Sequence, residues 1–335
     1  MKVVWSDLFT KTFFSPPSLV EAWTSRMEEF KRRASKYFQF EEPLEASLED
    51  FKLVHCEELV EEVRKLNDVG GVLDYGDTYI YPGSLEVLLA DLGGVYRAYE
   101  IAKHQGFGYT PYGGLHHAHR CSAAGFCPLN DLAVLIEKLT KEGKRIAYLD
   151  FDVHHGDGTQ EIFYERDDVL TLSLHMYHPG FYPGTGHYSE LGRGRGLGYS
   201  LNVPLPPGTG DEAYQLALKI IVKRAIESFE PDVIVTQMGV DGHKDDPLGG
   251  ALNLSTNTFK AIGELLASFN VPVVGAGGGG YGRRSVKAML AELSGAFGIG
   301  ELWEEVREEK TESNPEAISR VMYVKKFFED QLDWF

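Results

Sequence analysis

The chain has 335 residues, an apolar share of 43% and a formal net charge of −17, from 50 acidic against 33 basic side chains. Such a length allows one large α/β domain or two ordinary ones, and the apolar fraction suits a globular protein with a sizeable core; the single site implied by the polar clusters below makes one domain over residues 1–335 the economical expectation. The acidic residues are spread along the chain, which argues against nucleic acid as a partner, because phosphate contacts need Lys/Arg clusters; the field either attracts cationic substrates or only maintains solubility.

The N-terminal MKVVWSDLFTKTFF lacks a signal-peptide core, and Val3–Trp5 reads as a first strand. Ser18 with Glu21 suggests a capping box opening a helix through the thirties. Leu85–His104 reads as a further helix. Strands follow at Arg145–Asp150, Val169–His175 and Tyr199–Val203, then a helix over Asp211–Phe229 with Tyr214, Leu218, Ile221 and Ala225 at helical spacing. Strand Asp232–Gln237, a helix from Ser255, strand Val271–Ala276 and a helix after Tyr281 complete the pattern. This alternation implies an α/β fold: a mainly parallel central sheet with helices on both faces and the active site at the C-terminal ends of the strands. The cysteines Cys56, Cys121 and Cys127 form no CxxC pair, which suits a reducing, cytoplasmic setting. No run approaches the length of a membrane span, so no membrane partner is expected.

Three polar clusters stand where ligands bind in such sheets. In LDFDVHHGDG, Asp150, Asp152 and His154 alternate and so share one side of an extended backbone, a costly arrangement unless a metal compensates it. Asp241 in QMGVDGHKDDPLGG offers a third ligand. An Asp2His set leaves a position open for water and suits Zn²⁺ first, with Fe²⁺ or Mn²⁺ also accepted. In GGLHHAHRCSAAGFCPLND, His116 and His117 supply a general base and a general acid near a metal, or else lie in a surface loop. Asp150 and Asp157 remain to fix their tautomers. The run VVGAGGGGYG holds a formal GxGxxG, so a dinucleotide site competes with a tight turn that aims Tyr281 at a developing oxyanion.

Together GGLHHA, GFC.LND, LDFDVHHGDGTQ, SLH.YHPGFYPGTG, GVDGHKDDPLG and GGGGY resemble the histone deacetylase family, including prokaryotic acetoin-utilisation proteins and acetylpolyamine amidohydrolases. The resemblance implies an arginase-like fold and an enzyme that hydrolyses acetyl-lysine, acetylpolyamines or other acetylated amines. It implies zinc ligands Asp152, His154 and Asp241, an acid–base pair His116 and His117 backed by Asp150 and Asp157, and Tyr281 as the transition-state tyrosine. Phe126 and Tyr182 would wall the acyl tunnel, Gly125 and Gly279 would contact substrate, and Asp77 would orient it at the rim. A potassium ion would take backbone oxygens of Asp150, Asp152, His154 and Leu174 with the Ser173 side chain, and a second monovalent site would lie near Phe163, Arg166, Val169 and Tyr199. The N-terminal quarter departs from the family pattern at SPPSLVEAWTSR, and GRRSVKAML after the glycine run favours the prokaryotic branch. Competing readings are a binuclear manganese ureohydrolase, a silent acetyl-lysine binding module and a nucleotide-binding protein; homo-oligomerisation is left open.

Overall fold

The computed structural model describes residues 1–249 and 252–335. At its centre lie strands β1 (Phe107–Thr110), β2 (Ile146–Asp150), β3 (Val169–Met176), β4 (Ser200–Leu205), β5 (Val233–Gln237) and β6 (Val273–Ala276). They are ordered β1-β6-β5-β2-β3-β4, and every neighbouring pair runs parallel. All their residues are buried, as a parallel sheet covered by helices requires. Helix Ser84–Gln105 packs on β1 and β6, Asp131–Lys141 on β2 and β5, Asp157–Phe163 on β3, and Pro315–Gln331 on β4.

From β2 the chain winds outward through β3 to β4, then returns to lay β5 against the other side of β2. The winding therefore reverses between β2 and β5, and side chains beyond their carboxyl ends face a crevice. The loops after β1, β2, β5 and β6 all open there.

The expected elements lie within a few residues of those found. The stretch Asp211–Phe229 is helical throughout, with Leu218–Val222 wound as a π-helical turn. The Ser18–Glu21 capping box is not formed. The helix begins at Pro17 after Pro16, and no side chain caps it. Proline fits a first helical position because its missing N–H would have had no partner there, so Ser18 falls inside the first turn.

Candidate active site

Asp152 and His154 follow β2, and Asp241 follows β5, so the reversal point brings the three together. Among the described residues they form the one group of three metal-type donors, with ligand atoms within 4.8 Å of one another. His154 Nδ1 stands 3.1 Å from Asp152 Oδ1 and 3.1 Å from Asp241 Oδ2. A tetrahedral ion about 2.0–2.2 Å from its donors keeps them roughly 3.3–3.6 Å apart, so the set accepts one with shifts of a few tenths of an ångström.

The remaining carboxylate oxygens are already held. Asp152 Oδ2 accepts from Gln237 Nε2 at 2.7 Å and from the Gly279 N–H at 2.9 Å, while Asp241 Oδ1 accepts from the Val153 N–H at 2.9 Å. Burial, and then the adjacent Asp152, push Asp241 up to about 7 despite the His154 ring. Two carboxylates so fully desolvated call for a cation. The glycine run is shaped to them: a Cβ on Gly279 would lie 2.0 Å from Asp241 Oδ2. A dinucleotide phosphate has no place against that buried acidic pair, and the GxGxxG glycines answer to close packing instead: a Cβ would lie 2.3 Å from the Pro111 carbonyl oxygen at Gly277 and 2.6 Å from Val240 Cγ2 at Gly280.

The tandem histidines come from the loop after β1. His116 Nδ1 meets Asp150 Oδ2 at 2.8 Å, and His117 Nδ1 meets Asp157 Oδ1 at 2.7 Å. Asp150 also accepts from the Tyr148 hydroxyl at 2.6 Å. Both imidazoles are buried and neither lies on the surface. Burial disfavours protonation of each ring, but Asp150 and Asp152 overcome it at His116 and lift it to about 9. At His117 burial and the neighbouring His116 outweigh Asp157, and the ring falls to about 4. The two rings are thus pushed in opposite directions, His116 towards holding a proton and His117 towards accepting one, a split that suits acid–base chemistry.

A cavity of about 370 Å³ leads down to these groups, and Phe126, Tyr182, Phe181 and Phe13 wall it. Phe181 stacks flat on His154 with centroids 5.0 Å apart, and Tyr182 meets His117 edge-on at 5.0 Å. Gly125 sits at φ +54°, and a Cβ there would press to 2.5 Å from His117 Cδ2. Tyr281 lines the same cavity beside Phe126, and Asp77 stands at its mouth. The Phe126 N–H donates to Thr78 Oγ1, which donates in turn to Asp77 Oδ1, so wall and rim are tied together.

The histone deacetylase domain model matches residues 15–296, more than half of the chain. The chain belongs to the histone deacetylase family. It is 43% identical over 212 residues to a probable deacetylase of Archaeoglobus fulgidus, covering 62% of this chain and 58% of that protein. It is 46% identical over 188 residues to histone deacetylase 19 of Arabidopsis thaliana, covering 56% of this chain and 37% of that protein. The matches thus span less than two thirds of these relatives' own length. The solved HDA15 HD domain superposes with a TM-score of 0.85 at 25% identity, covering 99% of this chain and 94% of that one.

Of the residues expected above around monovalent cations, Asp150 and Ser173 are register partners on β2 and β3, although the Ser173 hydroxyl pairs with His175 Nδ1 at 2.8 Å. Phe163 and Arg166 are joined by a backbone hydrogen bond, and Tyr199 accepts from the Thr171 N–H, which gathers both around the start of β3 at Val169. Several site residues escaped sequence reasoning. Phe181 lies inside the YHPGFYPGTG motif, and Gln237 is a polar residue closing an apolar strand, so both left a signal. Phe13 and Arg26 left none. Arg26 is buried beneath the glycine run and donates through Nη1 to the carbonyls of Gly278 and Gly280 at 3.0 and 2.9 Å.

Proposed function

We propose that this chain is a metal-dependent deacetylase that hydrolyses the acetyl-amide of acetyl-lysine or of small acetylated amines such as acetylpolyamines. One observation carries the reading: two His–Asp dyads and a tyrosine converge on an Asp2His donor set at the floor of one narrow aromatic cavity. Asp152, His154 and Asp241 would hold a divalent cation, Zn²⁺ before Fe²⁺ or Mn²⁺, which would supply Lewis acidity for the acetyl carbonyl and lower the pKa of water in the site. His117, kept neutral by burial and oriented by Asp157, accepts that water's proton as its oxygen attacks the carbonyl carbon. Tyr281 donates a hydrogen bond to the carbonyl oxygen as charge gathers there. His116, held protonated by Asp150, passes its proton to the departing amine nitrogen when the C–N bond breaks. Phe126, Phe181 and Tyr182 exclude bulk water and grip the acyl chain, and Asp77 accepts a hydrogen bond or cationic charge from the substrate at the mouth. Gly125 and Gly279 allow the chain to pass close to the floor.

Potassium beside the first loop and near Val169 belongs to this proposal, as does a cytoplasmic setting. The three cysteines are free, and among the described residues no helix is long and apolar enough to cross a membrane. A binuclear ureohydrolase is disfavoured because no second group of three donors stands beside the first among the described residues. A silent binding module has no use for two oriented dyads. The test is metal titration of stripped protein assayed on acetyl-lysine peptide, acetylspermidine and acetylputrescine: activity returns with one equivalent, and full activity without metal would refute the reading.

A further inference from the structure

The glycine run that carries Tyr281 is pinned from three directions. Asp152 takes the Gly279 N–H from the front, and Arg26 holds the Gly278 and Gly280 carbonyls from behind. The third hold is Asp246, in the second half of the GVDGHKDDPLG motif. Its buried carboxylate accepts four backbone hydrogen bonds. Oδ2 takes the N–H of Tyr281 at 2.6 Å and of Gly282 at 2.9 Å; Oδ1 takes Leu248 at 2.9 Å and Gly249 at 3.1 Å. One side chain therefore rivets the loop after β5, which holds Asp241 and also places Leu248 against the cavity, to the loop after β6.

The consequence falls on the Tyr281 hydroxyl. Among the described residues no protein group hydrogen-bonds to it, so its place in the cavity is set by the backbone at 281 and by packing against Phe126 at 5.9 Å. An oxyanion donor works only within about 2.7–3.1 Å of the oxygen it stabilises, so a slack backbone there moves the donor out of range. The chemistry of the clamp also demands a carboxylate. Four N–H groups converge on two acceptor oxygens, whereas an amide offers one acceptor and turns its NH2 towards the other pair of donors.

We infer that Asp246 is a positioning residue for Tyr281: it touches no substrate atom and acts by fixing the backbone from which the hydroxyl is aimed. This rests on the reading of Tyr281 as the oxyanion donor. The test is a double-mutant cycle on the metal-loaded protein with Asp246→Asn, Tyr281→Phe and the double variant, reading kcat, KM, metal stoichiometry and thermal midpoint. Asp246→Asn alone should lower kcat about 10- to 100-fold, the scale of a sub-ångström to 1 Å misplacement, with one equivalent of metal still bound and KM little changed. In the Tyr281→Phe background the same substitution should cost less than about twofold, because there is no hydroxyl left to misplace. Equal losses in both backgrounds, or an unchanged kcat in Asp246→Asn, overturn the inference and leave the Tyr281 reading intact. An unchanged kcat in Tyr281→Phe overturns both. Should Asp246→Asn not fold, the cycle is run with Asp246→Glu, which keeps the charge but displaces the clamp and must show the same background dependence.

Discussion

The floor and the mouth of the cavity are built on different physical terms. At the floor, Asp152, Asp241, His116 and His117 are almost wholly buried, and each is held by at least one hydrogen bond from a neighbouring strand end or loop. At the mouth, Tyr182 is 41% exposed and Tyr75 fully so, and the hairpin Gly71–Val72/Tyr79–Ile80 carries Asp74 and Asp77 towards solvent. A desolvated polar group loses several kcal/mol when its partner is removed, whereas a half-solvated one replaces that partner with water. The floor is therefore suited to fix the reaction, and the mouth to grade the substrates.

The sharpest break in that contrast comes from the donor set. Asp152→Ala or Asp241→Ala should abolish both metal binding and turnover, read by elemental analysis beside the assay, because each leaves a buried partner uncompensated. Retained stoichiometric metal in either variant would detach these residues from the site. His117→Ala comes next, with kcat reduced by about 10²–10⁴, the usual worth of a placed general base, and metal content unchanged. Tyr281→Phe should cost about 10²–10³ in kcat, the scale for one oxyanion donor, with KM and metal content nearly constant since the hydroxyl matters mainly in the transition state. If KM alone rises, Tyr281 belongs with the mouth and not the floor.

The same contrast explains what the sequence disclosed. Floor residues sit in motifs dense in Asp, His and Gly that neither helix propensity nor packing would select, so Asp150, Asp152, His154 and Asp241 were legible from residue type and strand-end position. The histidine pair is legible too, and elimination leaves Asp150 and Asp157 as carboxylates for it; which one backs which ring is visible only in three dimensions, where His116 meets Asp150 and His117 meets Asp157. Arg26 was invisible because a single arginine in an amphipathic helix carries no sign of being turned inward. Phe13 reaches the cavity from a segment with no recognisable pattern. Asp246 lay inside a quoted motif, yet its backbone clamp depends on two loops meeting in space. Strand β1 escaped notice because FGYT is too short to show a period, and Ser18 misled because Pro17 starts the helix without a side-chain cap.

The smallest predicted effect lies at the mouth. Burial, and then the adjacent Asp74, raise Asp77 to about 6. Asp74 is held below the usual carboxylate range, because hydrogen bonds from the Asp77 and Thr78 side chains, and then from the Thr78 and Gly76 backbone N–H groups, outweigh its own burial. As pH falls through about 6, Asp77 takes up a proton and the mouth loses one of its two negative charges; as pH rises the charge returns. A cationic acetylated amine should feel this and a neutral acetyl-amide of similar size should not. The ratio of their kcat/KM values cancels the titrations at the floor, which both substrates share, and leaves the rim. That ratio should rise with pH through about 6 by roughly 1.5- to 5-fold, the range of a solvent-screened ion pair, and added salt should flatten it. Asp77→Asn should remove the step. Asp74→Asn should move its midpoint to lower pH, since the neighbouring charge that resists ionisation is gone. A ratio independent of pH in the unmodified protein would mean that Asp77 meets no substrate charge, and that the mouth selects by shape alone.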